Sequence, residues 1–311
     1  MEESNWQNKR TLDLIIPTYK PDQTFDELLR RINEQTIRPN RIIVMNTQEE
    51  YMDESKYNYL DNLEVIHIKK EEFDHGGTRN FAVGISNADY VFLMTQDAIP
   101  ADRHLIEKIL KGFEHQGVAA VYGRQLPRKN ASVIESYTRS FNYPDEDMVK
   151  GKEDVERLGI KTYFCSNVCA AYNREIYEKL GGFVTKTIFN EDMIMSYHLI
   201  QAGYKIAYAS QAKVIHSHHY TYRQQFTRNF DLAVSQKQYA YIFDSVKSET
   251  EGIKLVKQSI RYLLNQRKAY LILDLILQSG FKFLGYRCGK NYDKLPKSLV
   301  KKLSMNKSYW G

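Results

Sequence analysis

Four short apolar runs punctuate the first third of the chain: Thr11 to Ile16 (TLDLII), Arg41 to Met45 (RIIVM), Leu63 to Ile68 (LEVIHI) and Asp89 to Met94 (DYVFLM). Short, mainly apolar runs of this length fit buried strands. The first is expected to stop at Pro17, which punctuates the pattern. Between the runs, Asp22 to Gln35 and Thr78 to Ser86 carry helical spacing. Strand and helix in alternation predict an α/β class, a mostly parallel sheet flanked by helices in the Rossmann-like manner. Pro127 to Tyr163 has no clear period and reads as a long loop region with short helices. The pattern resumes at Ser166 to Tyr172, with helices from Arg174 and from about Glu191 to Ala202, and beyond Tyr220 the chain turns helical and basic.

Composition adds limits. Cys165, Cys169 and Cys288 are too few and too scattered for a disulfide framework, and no C-x-x-C pair is present, so a reducing cytoplasm fits. Met1 to Arg10 is polar and lacks the apolar stretch of a signal peptide. Charge is divided: from Lys213 onward 18 basic residues face 6 acidic ones, a net of +12, whereas the preceding 26 basic and 32 acidic residues leave −6. Such asymmetry marks the tail as a surface for an anionic partner.

Candidate chemistry sits where strands end, because ligands of open α/β folds bind there. IIPTYK (Ile15 to Lys20) is one such end, though an ordinary strand terminus reads the same. In DHGGTRN (Asp74 to Asn80) two glycines permit close backbone approach to a ligand, Thr78 is the expected N-cap, and Arg79 falls in the first helical turn, where a guanidinium can meet a phosphate or a base carbonyl. A glycine turn with a solvated arginine is the plainer alternative. The G-x-G-x-x-G dinucleotide fingerprint is absent, which weakens a dehydrogenase reading. MTQDAIP (Met94 to Pro100) places Asp97 just past the most apolar strand, where a carboxylate suits a hard divalent cation. Capping of the following helix is a weaker use for it, since Pro100 and Asp102 stand nearer the helix start expected around Asp102. FNEDMIMS (Phe189 to Ser196) puts Glu191 and Asp192 at a helix start, as dipole-favoured acids or as a general base. VIHSHHY (Val214 to Tyr220) ends a strand-like run with His216, His218 and His219; alternation turns the first two to one side, and one could complete a metal site begun by Asp97.

In this order IIPTY, DHGGTRN, TQDA, NED and HSHHY resemble glycosyltransferase family 2, of GT-A fold, and DHGGTRN with TQDA is similar to its bacterial rhamnosyltransferases of cell-wall and capsular polysaccharide synthesis. The resemblance covers roughly residues 11 to 220 by motif. It implies a catalytic domain over 1–220, with nucleotide-sugar binding in 11–125 and the acceptor side in 126–220. It further implies a donor site at Pro17, Thr18, Tyr19, Asp74, Gly76, Gly77, Arg79 and Gln96, and Asp192 as catalytic base beside Glu191. Asp97 would match the retained acid of the family's D-x-D element, with His216 or His218 on metal or diphosphate; Mg²⁺ or Mn²⁺ is the implied cofactor. The implied reaction inverts the anomeric carbon, moving L-rhamnose from dTDP-L-rhamnose to a lipid-linked saccharide, without a nucleic-acid partner. Two departures stand out. Gln96-Asp97-Ala98 keeps one acid of the D-x-D pair, and Asn46 and Thr47 replace an acidic pair that many members carry after the second strand.

Residues 221–311 read as a helical extension for membrane association, oligomerisation or both. Within it, Arg261 to Phe283 mixes an apolar face with basic residues. The apolar stretch from Ala269 is broken by Asp274 and falls short of the roughly 20 residues a spanning helix needs. An amphipathic basic helix on an anionic membrane, peripheral to its cytoplasmic face, fits both features; packing on the catalytic domain or on a second copy is compatible with it. Two rival readings are a family 2 transferase using a UDP-hexose or UDP-N-acetylhexosamine, and a non-catalytic adaptor that binds polyanions or membranes through the tail.

Overall fold

The computed structural model describes residues 10–245 and 249–311, so the polar stretch before Arg10 lies outside the described residues. The strands are β1 (Leu12–Tyr19), β2 (Arg41–Thr47), β3 (Leu63–Ile68), β4 (Tyr90–Met94), β5 (Ile99–Pro100), β6 (Val118–Leu126), β7 (Met148–Lys150), β8 (Cys169–Asn173) and β9 (Lys205–Ile215). They form one sheet in the order β3-β2-β1-β4-β8-β6-β9-β5, with β7 paired to β9. The helices through the sheet region are α1 (Gln23–Asn33), α2 (His75–Gly84), α3 (Leu105–Lys111), α4 (Val133–Asn142), α5 (Val155–Leu158), α6 (Arg174–Lys179) and α7 (Glu191–Gln201). The extension holds α8 (Tyr222–Gln238), α9 (Ala240–Phe243), α10 (Glu249–Asn265), α11 (Ile272–Lys290) and α12 (Lys297–Leu303).

The four apolar runs become β1 to β4, all parallel. Leu14 and Ile16 of β1 pack on one face against Phe25, Leu28, Leu29 and Ile32 of α1, while Ile15 meets Ala82 and Val83 of α2 on the other. Burial of the four α1 side chains, at about 1.5–3 kcal/mol each, fastens that helix to the sheet. Beyond β4 the sheet is mixed: β8 runs antiparallel to both β4 and β6, and β5 and β7 antiparallel to β9. An apolar run carries no direction, so the pattern could not reveal this reversal.

Several boundaries differ from expectation. β1 does not stop at Pro17 but continues to Tyr19. Its pairing with β4 ends at Ile15, so Pro17 lies where one edge of the strand has left the ladder, a place that tolerates a missing N–H. Asp74, not Thr78, caps α2, its carboxylate accepting the Gly77 amide at 2.6 Å. Pro100 belongs to a short strand, and α3 begins three residues beyond Asp102.

The extension is not one continuous amphipathic helix through Arg261 to Phe283. The chain turns between α10 and α11, with Arg267 in the left-handed region at φ 55°. α11 lies closely on α8: a Cβ at Gly285 or Gly289 would stand 2.2 or 2.3 Å from the carbonyl oxygens of Phe226 and Phe230. Phe230, Val234 and Val300 share a small core with Ile188, and Leu263 and Leu275 share another with Ile134. Among the described residues no helix is long and apolar enough to cross a membrane.

Candidate active site

Past the end of β4 the chain turns, Ala98 N donating to Thr95 O, and Asp97 comes to face the residues following β9. Its Oδ2 lies 3.4 Å from His216 Nε2 and 3.4 Å from His218 Nε2. One ligand atom from each of the three falls within 4.8 Å of the others. Gln125, near the end of β6, holds His216: its Oε1 lies 2.9 Å from His216 Nδ1 and also accepts from Arg139 Nη1 of α4. An amide oxygen can only accept, so His216 keeps its proton on Nδ1. In the neutral ring this turns the Nε2 lone pair toward Asp97, as histidine ligands of metals are commonly set. Burial, reinforced by His216, pushes His218 down to about 4, leaving it unprotonated at neutral pH. Burial raises the Asp97 carboxyl, but a hydrogen bond from His216 and the positive charges of His216 and His218, which act when the rings are protonated, outweigh it and hold it below the ordinary range. With the rings neutral, one anionic oxygen and two nitrogen lone pairs converge, a donor set that fits a divalent cation.

The second cluster is built at the start of α7. Asn190, its N-cap, sits at φ 66°, a conformation asparagine tolerates better than most residues. Glu191 is buried and pairs with Arg79 Nη1 at 3.2 Å, and the same guanidinium nitrogen donates to His75 O at 2.7 Å. The backbone amide of Asn167 donates to Asp192 Oδ2 at 3.3 Å, while its side-chain Nδ2 reaches Glu191 Oε1 at 3.4 Å. Tyr172 Oη donates to Asn167 Oδ1 at 2.9 Å and fixes that side chain. Burial works against both charges. For Glu191 the cations of Arg79 and His75 prevail and hold it low; for Asp192 the neighbouring Glu191 charge adds to burial and raises it. Two adjacent carboxyls driven apart in this way have separate acid–base roles available.

At the ends of β1 and β2, Thr18, Asn46 and Thr47 are buried, and Thr18 Oγ1, Asn46 Oδ1 and Thr47 Oγ1 have no hydrogen-bond partner. Buried polar atoms of a native fold are rarely left so, and three together suit a polar ligand. Gln96 ties this edge to the neighbouring Asp97: Tyr19 N donates to its Oε1 at 2.7 Å and its Nε2 returns to Tyr19 O at 3.2 Å. Tyr19 and Tyr51 are exposed and meet edge to face, with the Lys20 ammonium 4.6 Å from the Tyr51 ring. Lys20 and Gln48, just past the two strands, both adopt positive φ.

Asp97, His216 and His218 are therefore brought together, as are Glu191, Asp192 and Arg79, and Tyr19 and Gln96. Arg79 is buried and turned onto Glu191. Both carboxylate oxygens of Asp74 are taken, one by its own cap and one by Lys186 N at 3.0 Å. Gly76 packs against the chain itself, since a Cβ there would stand 2.0 Å from Val184 O. The sequence pattern does not single out Gln125 or Asn167. A polar residue near the carboxyl end of an apolar strand was a faint signal for Gln125; Asn167 offered none.

The sequence model of Glycosyl transferase family 2 matches residues 13–181. The chain belongs to that family. Two curated relatives reinforce the family 2 assignment: the O-antigen chain rhamnosyltransferase RfbN of Salmonella typhimurium, 42% identical over 301 residues and 96% of each chain, and the O-antigen chain rhamnosyltransferase WbaN of Salmonella anatum, 42% identical over 96% of this chain and 95% of that one. Among solved structures, a mannosyltransferase from Pyrobaculum calidifontis in complex with GDP-Man and Mn²⁺ aligns with TM-score 0.56 at 16% identity, covering 98% of this chain and 86% of that one. Residues 1–349 of S. aureus TarS align with TM-score 0.53 at 15% identity over 91% of each chain. These likenesses show the GT-A-like fold of a family 2 transferase, here with a helical C-terminal region.

Proposed function

We propose that this family 2 enzyme transfers L-rhamnose from dTDP-β-L-rhamnose to a lipid-linked saccharide in bacterial surface polysaccharide synthesis, working at the cytoplasmic face of the membrane. The single observation that carries the sugar is 42% identity, along nearly the whole chain, to two O-antigen rhamnosyltransferases. In this reading residues 1–220 form the catalytic unit and 221–311 hold it to the membrane. Pro17, Thr18, Tyr19 and Gln96 line the donor edge, with Asp74, Gly76 and Gly77 setting the loop beside it.

Asp192 is the base that takes the proton of the acceptor hydroxyl as that oxygen attacks the anomeric carbon in line, with inversion. Its raised pKa supports the assignment, because a base is most effective near the working pH. Glu191 keeps its charge on Arg79 and adds to burial in raising that pKa. Asp97, His216 and His218 would hold the divalent cation, and two imidazoles favour Mn²⁺ over the harder Mg²⁺. When bound, the cation neutralises the departing diphosphate. Asp192→Asn tests the base: transfer should fall about 10²–10⁴-fold with donor KM and melting temperature held. Full activity in that variant would overturn the assignment.

A further inference from the structure

The site as described makes no use of two cations beside it. Arg228 of α8 and Lys282 of α11 are half-buried, and neither forms an ion pair among the described residues. The Arg228 guanidinium lies 4.6 Å from the Phe189 ring and 5.8 Å from the Tyr220 ring, aromatic faces in place of a carboxylate. Lys282 sits within reach of the Arg228 charge, and burial together with that charge lowers its pKa. The two cannot drift apart, because Gly285 and Gly289 lock α11 onto α8 through contacts with the backbone of Phe226 and Phe230. The Asp231 carboxylate lies within electrostatic reach of Arg228 but turns to the Met305 and Asn306 amides, and neither cation is ion-paired among the described residues; like charges held together and partly desolvated in this way are unfavourable unless an anion joins them.

Their position identifies the anion. Inward, Tyr220 stacks on His218 at 5.1 Å, which itself stands 3.4 Å from Asp97, and Phe189 immediately precedes the Asn190–Asp192 turn. Outward, α11 exposes Leu273, Ile276, Leu277 and Leu284, an i, i+3, i+4, i+11 set on one face, with Tyr270 beside its start. The cations therefore stand between the candidate reacting centre and an apolar stripe in the strongly basic part of the chain. A molecule spanning the three would have a hydrocarbon chain, then phosphate, then sugar.

We infer that Arg228 and Lys282 form an anion site for the phosphate groups by which a lipid carries the acceptor saccharide, with the Leu273–Leu284 stripe lying in the lipid. The word acceptor rests on the transferase reading above; the phosphate site does not. The same phosphate chemistry could come from the donor's diphosphate, and the test separates the two.

Calorimetric titration of the full chain, without sugar donor, would use geranyl diphosphate, inorganic pyrophosphate and, with Mn²⁺, dTDP. The wild type should bind geranyl diphosphate in EDTA more tightly than pyrophosphate. Lys282→Met and Arg228→Met, which retain much of the apolar stem, should each weaken that binding about tenfold or more, as lost hydrogen bonds to charged groups do, and leave dTDP affinity unchanged. Lys282→Arg should largely restore it, which guards against a packing defect in the methionine variant. Unchanged geranyl diphosphate binding in both methionine variants would overturn the site. Equal weakening of dTDP would assign the cations to the donor, and pyrophosphate binding as tight as geranyl diphosphate would remove the lipid from the proposal. Because the readout is binding alone, a failed rhamnose transfer assay would count against the donor assignment and leave this result standing.

Discussion

Glu191→Gln isolates the electrostatic relation on which the base assignment depends. In the wild type, burial and the Glu191 charge both raise the Asp192 carboxyl. Glutamine keeps the shape and removes the charge, and it leaves Arg79 as an uncompensated cation nearby. Both changes favour ionised Asp192, so its pKa must fall. Two unit charges roughly 6–8 Å apart at an effective dielectric of about 20 interact by about 2–3 kcal/mol, or about 1.5–2 pH units. The acid limb of kcat/KM against pH should therefore move down by about that much, while the rate on the plateau drops because a weaker base is a poorer one. The cost in stability is bounded by that of breaking a buried ion pair, about 3–5 kcal/mol, and glutamine's amide oxygen can still accept from Arg79. Profiles of both proteins over pH 4 to 9, with melting curves at each pH, make the comparison. An acid limb that stays in place while the variant remains folded would refute the coupling, and with it the claim that Asp192 carries the working proton.

Three further outcomes follow from the same geometry. Gln125→Leu removes the acceptor that orients His216, and the Mn²⁺ concentration for half-maximal activity should rise about 10–100-fold; an unchanged metal titration would contradict the tautomer argument. Gly76→Ala drives a Cβ to 2.0 Å from Val184 O, and overpacking of about 1–3 kcal/mol should lower the melting temperature by about 2–5 °C for a chain of this size; a neutral substitution would mean that the loop yields freely. Lys150 is buried, donates to the carbonyls of Lys161 and Phe164, and is pushed by burial down to about 7. The unfolded chain keeps that proton to higher pH, so this group makes stability rise from about pH 7 to pH 10, by at most about 1.4 kcal/mol per pH unit. Chemical denaturation of Lys150→Met should lack that slope, and parallel curves for variant and wild type would count against it.

The parallel half of the fold was legible because β1, β2 and β4 are buried on both faces, the half-buried edge strand β3 is still mostly apolar, and all are bounded by turn residues. β8 was legible as a strand but not as an antiparallel one, since nothing in Cys169 to Asn173 encodes which way the chain enters the sheet. The position of Asp97 after β4 and the alternation of His216 with His218 predict one imidazole beside Asp97, and the structure brings both there. What escaped notice are the residues that aim them. Gln125 acts through a hydrogen bond to His216, 91 residues away, and Asn167 through bonds to Asp192 and Glu191, 25 and 24 residues away, separations that no local pattern records. The glycine pair predicts clearance for a ligand at Gly76, yet the space there is taken by Val184, because a sequence shows that space is needed and not what fills it. The break near Arg267 depends on one left-handed residue that is not glycine, so the apolar spacing ran on past it.

The most direct test of the central claim is release of nucleoside diphosphate from dTDP-L-rhamnose, UDP-glucose and UDP-N-acetylglucosamine, each with a lipid-linked saccharide acceptor and either Mn²⁺ or EDTA. Release is expected from dTDP-L-rhamnose alone, abolished by EDTA and by Asp97→Asn. Release from a UDP-sugar in its place would contradict the donor, and release that persists undiminished in EDTA would contradict the role assigned to Asp97, His216 and His218.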